Sequence, residues 1–371
     1  MEIPEHTLLK IKEKAKERTV RTQSIEYDLE TLVKKISFGT IKLEPGYQRR
    51  HRWSLETSSR LIESLILNIP IPLIYLSADV DVDVETEEAR YSIIDGQQRL
   101  TAICEFFKNM YALKGLTCLD LLNGYYYKDL PAFLVRRLEE RTIKCLRIDS
   151  TIDSNVKIDI FERLNSGSII LEPQELRNAV CMGPFNELCK VLSQDANFKK
   201  LLQINEAKLE KNSKVKKMED VELVLRFYAL MDDKYNQFKK SKDYRFRDFL
   251  TDQLDKGNEM DDKALNDFAH AFLETMREII ENFGPMAFAK YEFGDNKLKN
   301  QSRFNAAVYD SLAISVYSEI TSKYRNISPD MKEKFHNLFK DEKFHDSVSG
   351  SILDSAKITY RIDEARKVFR L

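Results

Sequence analysis

One short segment, residues 93–101, constrains the fold more than any other part of the chain. It reads Ile-Ile-Asp-Gly-Gln-Gln-Arg-Leu-Thr, and the residues before Gly96 are of extended type. After Gly96 the apolar residues take the spacing of one helix face, at Leu100, Ile103, Cys104 and Phe107. The segment therefore predicts a strand, a tight turn and a helix, with polar side chains gathered at the turn.

A helix start of this kind is a potential anion site. Its first backbone N–H groups lack intrahelical acceptors, and they lie at the positive end of the helix dipole. Arg99 could add a bidentate phosphate contact, and Gly96 would let the backbone approach a phosphate because no Cβ obstructs it. The alternative is a polar helix start that Asp95 caps, with Gln97 and Gln98 directed to solvent.

Two other polar segments accompany this one. Residues 46–53 read GYQRRHRW and follow Pro45, so they are predicted to form a loop. Residues 161–167 read FERLNSG and precede a predicted helix that begins at Pro173 and contains the sequence ELRN. With DGQQR between them, these segments resemble the GmrS-like family, which is the N-terminal domain of GmrSD-type modification-dependent restriction enzymes.

This resemblance covers roughly the first half of the chain, and it implies a fold and a ligand. The implied fold is α/β (α+β), a ParB/sulfiredoxin-like domain of short mixed strands at 26–180. It would follow a charged arm at 1–25 and precede a mainly α-helical domain at 181–371. The implied ligand is a nucleoside triphosphate of unknown base. His51 departs from the family pattern, which usually has an aromatic residue there.

The resemblance also assigns roles to individual residues. Candidate catalytic residues are Asp95, Gln97 and Gln98. Asp95 is also the candidate Mg²⁺ ligand, because a carboxylate beside a phosphate repels it unless a cation bridges the two. Candidate nucleotide-binding residues are Gln48, Arg49, Arg50, Asp95, Gly96, Gln98, Arg99, Asn165 and Asn178. The alternatives are a solvated loop for 48–50, and helix caps with inter-helix hydrogen bonds for Asn165, Glu175, Arg177 and Asn178.

Composition limits the remaining possibilities. The net charge of −1 gives no global basic field, so nucleic acid would have to bind at a local patch. Basic residues cluster at 208–217 and 239–247, which fits either phosphate contact or a solvated face. Five scattered cysteines without a CxxC pair favour a reducing cytoplasm. The sequence has neither a signal peptide nor a membrane-spanning run, so we expect a cytoplasmic protein.

Three functional hypotheses follow. The first is a Mg²⁺-dependent NTP-hydrolysing protein of bacterial anti-phage or restriction-type defence, which acts on or senses foreign modified DNA. The second is a non-catalytic, nucleotide-switched module that recruits DNA or a partner nuclease. The third is a direct DNA nickase, for which a single Asp without a His or Glu cluster is thin support. No HNH-like constellation follows residue 180, so we expect a stand-alone protein, with a homo-oligomer left open.

Overall fold

A computed structural model describes residues 22–43, 53–82, 89–148, 153–164, 172–205, 212–238, 244–294, 297–322, 328 and 330–369. The chain divides into two compact units, Met1–Leu171 and Glu172–Leu371.

The first unit is a mixed α/β domain. Its strands are β1 (Thr22–Asp28), β2 (Ile41–Lys42), β3 (Ile74–Val82), β4 (Ala89–Asp95) and β5 (Thr142–Ile148). Its helices are α1 (Leu29–Ser37), α2 (Leu55–Ile66), α3 (Gln97–Phe107), α4 (Ala132–Glu139) and α5 (Ser154–Leu164), with short 3-10 turns at Asp120–Leu122 and Tyr127–Asp129.

The five strands form one sheet in the order β1-β5-β3-β4-β2. The β3–β4 and β1–β5 pairs are antiparallel, whereas β3–β5 and β2–β4 are parallel. The predicted domain of short mixed strands is therefore confirmed. The last residue of β4, Asp95, pairs with Tyr75, so the end of β4 lies beside the start of β3.

Helices α1 to α4 supply the apolar side chains that pack with the sheet. Buried residues of the four helices form one cluster with strand residues such as Ile74, Ile93 and Cys145. The α2 helix begins as its sequence predicts, because the Ser54 side chain accepts a hydrogen bond from the Thr57 N–H and thereby caps the first turn. Helix α5 packs against β4.

The second unit is mainly helical, as predicted. Its helices are α6 (Pro173–Val180), α7 (Pro184–Leu192), α8 (Ala196–Leu201), α9 (Ser213–Lys216), α10 (Glu219–Leu230), α11 (Phe246–Asn258), α12 (Asp262–Phe283), α13 (Ala306–Ile320), α14 (Met331–Asn337), α15 (Glu342–Ser347) and α16 (Ser355–Phe369), with 3-10 turns at Lys234–Gln237 and Leu338–Lys340. The sequence did not predict its two strands, β6 (Lys290–Gly294) and β7 (Lys297–Ser302).

The α10 and α13 helices lie at the centre of the second unit and are buried over most of their length. A charged cluster joins them to α16. In this cluster Arg226 of α10 and Arg361 of α16 both donate to Asp310 of α13, at 2.5 and 2.6 Å. These three side chains are at most 4% exposed. The cluster links α10, α13 and α16 inside an otherwise apolar core.

Helix α6 belongs to the second unit, although the boundary predicted at residue 180 places it in the first domain. The fully buried Arg177 explains this, because its guanidinium donates to Glu222 of α10 at 2.5 Å and to Gln174 at 2.7 Å. Within the described residues, no helix has the length and apolar character needed to cross a membrane.

Candidate functional site

The DGQQR segment lies where β4 gives way to α3, as the sequence predicts. Strand β4 ends at Asp95, and Gly96 is the N-cap residue of α3 in the left-handed region, with φ +101°. A Cβ on Gly96 would lie 2.4 Å from Ile74 Cδ1. The glycine is therefore required by the fold itself, through its positive φ and its contact with β3, before any phosphate is considered.

Among the residues that the structure describes, no side chain caps α3. The alternative interpretation, in which Asp95 caps the helix, is wrong, because Gly96 occupies that position and the Asp95 carboxylate is directed to Arg99 instead. The helix start thus keeps backbone N–H groups that have no intrahelical acceptor, together with the positive end of its dipole.

Arg99 joins three parts of the first unit. Its Nη1 donates to the carbonyl oxygens of Pro72 and Leu73, the latter at 3.1 Å. Its Nη2 donates to Asp95 Oδ2 at 2.5 Å. The Arg99 side chain is 10% exposed, whereas the Asp95 side chain is 29% exposed. The guanidinium therefore fixes the turn to the segment before β3 and leaves part of the Asp95 carboxylate open to solvent.

Gln98 links the DGQQR segment to the end of the upstream GYQRRHRW segment. Its Oε1 accepts a hydrogen bond from the Trp53 backbone N–H at 3.2 Å. Its Nε2 is shielded from solvent and has no hydrogen-bond partner in the part of the chain that the structure describes. A shielded amide donor without an acceptor costs about 1–3 kcal/mol, so this atom calls for an explanation.

The other candidate residues have separate outcomes. Gln48, Arg49, Arg50 and Asn165 lie outside the described residues. Asn178 is buried in the second unit, where its Nδ2 donates to Met218 Sδ at 2.6 Å. This bond and the Arg177–Glu222 ion pair are the kind of inter-helix contact that the alternative interpretation of the ELRN sequence expects. A nucleotide-binding role for Asn178 stays a prediction.

Metal ligands are few around this turn. In the described ranges, no three His, Cys, Asp or Glu side chains are grouped so that they could hold a metal ion. Asp95 alone offers a partly exposed carboxylate, which suits Mg²⁺ only if phosphates and water supply the other ligands. Nearby thiols offer no nucleophile, because burial raises the pKa of both Cys104 and Cys145 to about 11.

Sequence reasoning missed several partners of the motif. The Pro72 and Leu73 carbonyls, Ile74 and the Trp53 N–H all contribute through backbone position or packing. Backbone groups carry no residue-specific signal, so no pattern in the sequence pointed to them. The Trp53 side chain packs against the first unit's core.

The first unit thus brings together, at one turn of a mixed α/β domain, a helix start without a side-chain cap among the described residues, a partly exposed carboxylate and a shielded amide donor. Comparison with known families is more specific: residues 29–182 match the family described as GmrSD restriction endonuclease, N-terminal domain. This match confirms, for residues 29–182, the resemblance drawn from the three segments, and it connects the domain with restriction-type defence. No curated protein matches the chain.

Proposed function

We propose that the domain at residues 29–182 binds a nucleoside triphosphate at the start of α3 and hydrolyses it with Mg²⁺. The activity would serve restriction-type defence that acts on or senses foreign modified DNA. The ParB/sulfiredoxin-like fold implied by the family resemblance is part of this proposal, and the mixed five-stranded sheet supports it. The family match supports the link to restriction.

The observation that carries the proposal is the shielded Nε2 of Gln98 beside the uncapped start of α3. A phosphate or base oxygen at this position would accept a hydrogen bond from Nε2 and remove the cost of leaving it unpaired. The same ligand would meet the backbone N–H groups and the dipole of α3, both of which favour an anion. One anionic ligand therefore accounts for both features.

Asp95 and Arg99 have complementary roles in this proposal. Arg99 neutralises part of the Asp95 charge and holds the carboxylate in place, so that a phosphate can approach it. The exposed part of the carboxylate would hold Mg²⁺, which takes its remaining ligands from phosphates and water and neutralises phosphate charge when bound. Gln97 and Gln98 would orient the attacking water.

The test is phosphate release from ATP, CTP, GTP and UTP with Mg²⁺, with and without duplex DNA. Gln98→Glu keeps an acceptor for the Trp53 N–H but replaces the Nε2 donor with an anionic oxygen. We expect it to weaken nucleotide binding by about tenfold or more, which corresponds to about 1.4 kcal/mol. Asp95→Asn should abolish Mg²⁺-dependent turnover and affect binding less.

Gln23→Glu is the matched control. It makes the same chemical change on β1, where the Gln23 side chain already accepts a hydrogen bond from Arg147. The control should bind and hydrolyse as wild type does. If wild type binds none of the four nucleotides, or if Gln23→Glu loses as much affinity as Gln98→Glu, the proposed site is wrong.

A second candidate is a nucleotide-switched module without catalysis, which recruits DNA or a partner nuclease. The Asp95–Arg99 pair favours it, because an ion pair already occupies part of the carboxylate on which hydrolysis would depend. Nucleotide binding by wild type, with turnover far below the typical enzymatic range of about 1–1,000 per second, would support this candidate over the first.

A further inference from the structure

Three apolar side chains reach solvent around the DGQQR segment, and we refer to them as the apolar rim. Leu73 comes directly before β3 and is 37% exposed, and its carbonyl oxygen accepts a hydrogen bond from Arg99 at 3.1 Å. Leu55, the first residue of α2, is 47% exposed. Trp53 is partly exposed, and its backbone N–H donates to Gln98 at 3.2 Å. Polar groups that suit an anion therefore have an apolar border.

This combination differs from the single exposed apolar residues that are ordinary on protein surfaces. Small-molecule sites are lined mainly by apolar and aromatic side chains, with a few polar groups that fix the orientation of the ligand. A free phosphate ion would use only the polar groups at the start of α3. A nucleotide would use both parts, because its phosphates are charged and the faces of its base are apolar.

Trp53 is the member of the apolar rim that has a flat ring. Its side chain packs against the core of the first unit and still reaches solvent. Its backbone is held at the start of α3 by the bond to Gln98. A ring that is already restrained by packing loses little conformational entropy when a ligand binds, so its contact with a base would be preorganised.

We propose that the nucleobase of the bound nucleoside triphosphate stacks on the indole ring of Trp53, with Leu55 and Leu73 at its border. The proposal rests on the proposed function for its nucleotide, and it adds the way in which the base is held. Stacking uses the face of a base and not its hydrogen-bonding edge. Trp53 therefore contributes to the binding of every ordinary nucleoside triphosphate.

The test compares ATP and UTP with ribose 5-triphosphate, which has the sugar and the phosphates but no base. Calorimetric titration of the full chain with Mg²⁺ measures each affinity. Wild type should bind ATP at least about tenfold more tightly than ribose 5-triphosphate, since an aromatic platform commonly contributes that much for one base. Wild-type binding of ATP and ribose 5-triphosphate with equal affinity would overturn the stacking without any variant.

Trp53→Leu removes the flat ring and keeps an apolar side chain for the core. It should weaken the binding of both ATP and UTP by about tenfold and leave the affinity for ribose 5-triphosphate unchanged. A damaged fold would lower all three affinities together. Trp53→Phe keeps a ring and should retain most of the ATP affinity.

Phe133→Leu is the matched control, because it removes a ring that is 67% exposed on α4 of the same unit. It should leave all three affinities unchanged. If Trp53→Leu lowers the three affinities equally, or lowers none of them, the stacking is overturned and the phosphate site remains. If wild type binds neither the two nucleotides nor ribose 5-triphosphate, the proposed nucleotide site is wrong, and the stacking falls with it.

Discussion

Each unit contains a buried arginine that pairs with a carboxylate, but the two clusters differ in how completely they are enclosed. In the second unit, Asp310 is fully buried and accepts from Arg226 and Arg361. In the first unit, Asp95 accepts from Arg99 alone among the described residues, and 29% of its side chain remains exposed.

This difference indicates different purposes. The enclosed cluster has no carboxylate open to solvent, so we expect it to act on stability and on the way its helices pack. In the other cluster the Asp95 carboxylate is partly exposed, and the Nε2 atom of nearby Gln98 has no partner among the described residues, which fits the proposed binding of a ligand. Variants of the two clusters should therefore separate stability from binding.

The largest effect is expected at the enclosed cluster. Asp310→Asn leaves two buried guanidinium groups without their carboxylate, so the free energy of unfolding should fall by about 3–5 kcal/mol. Urea denaturation measures this change. Asp267→Asn on the exposed surface of α12 is the control and should change stability by less than about 0.5 kcal/mol. A loss below about 1 kcal/mol for Asp310→Asn would show that the cluster is not structural.

A smaller loss is expected at the turn of the first unit. Gly96→Ala combines a left-handed backbone cost of about 1–2 kcal/mol with overpacking of about 1–3 kcal/mol against Ile74. Gly124→Ala is the control, because Gly124 also has positive φ but its Cβ would meet nothing within 4 Å. The difference between the two losses in urea denaturation isolates the contact with Ile74, and equal losses would contradict it.

Adding Ile74→Val sharpens this measurement. The change removes the Cδ1 atom that a Cβ on residue 96 would meet. In a double-mutant cycle, Ile74→Val should therefore recover the overpacking part of the Gly96→Ala loss, and it should recover nothing of the Gly124→Ala loss.

The open cluster should contribute little to stability. Asp95→Asn keeps an acceptor for Arg99 and removes only a partly exposed charge, so the expected loss in urea denaturation is at most about 1 kcal/mol. A loss as large as that of Asp310→Asn would mean that both clusters stabilise the fold equally, and the proposed difference between them would be wrong.

The smallest effect concerns pH and the contact of β6 with α14, where the ring centroids of Tyr291 and His336 lie 4.7 Å apart. Burial, and then the charge of Lys332, lower the pKa of His336 below 6.5, so the folded state binds this proton less readily than the unfolded state. Stability should therefore decrease as pH falls below about 6.5, the ordinary histidine value. His336→Phe, which keeps a ring against Tyr291, should weaken this dependence in urea denaturation at several pH values. His270→Phe, at an exposed position, should leave it unchanged.

Local patterns predicted much of what the structure contains. The strand–turn–helix at 93–101 and the helix start at Pro173 depend on residues close together in sequence, and both are confirmed. Strands β6 and β7 were missed because they are only five and six residues long and carry few apolar residues, namely Tyr291, Phe293 and Leu298.

The site was only partly predictable for a related reason. Asp95, Gly96 and Arg99 are neighbours in sequence, so their proximity followed from the motif. Their actual partners depend on long-range topology: β3 lies beside β4, and its preceding loop brings the Pro72 and Leu73 carbonyls to Arg99. No residue pattern encodes that contact, so the sequence did not predict that Arg99 donates to the backbone carbonyls of Pro72 and Leu73.

The contact between Trp53 and Gln98 has a practical consequence. The chain has one tryptophan, and its backbone N–H donates to the side chain whose other end is unpaired. Tryptophan fluorescence of the unmodified protein, excited at a wavelength that tyrosine hardly absorbs, therefore comes only from the residue whose backbone contacts Gln98. Titrating a nucleotide against that emission would follow events at this turn directly, without a label and without interference from the helical unit.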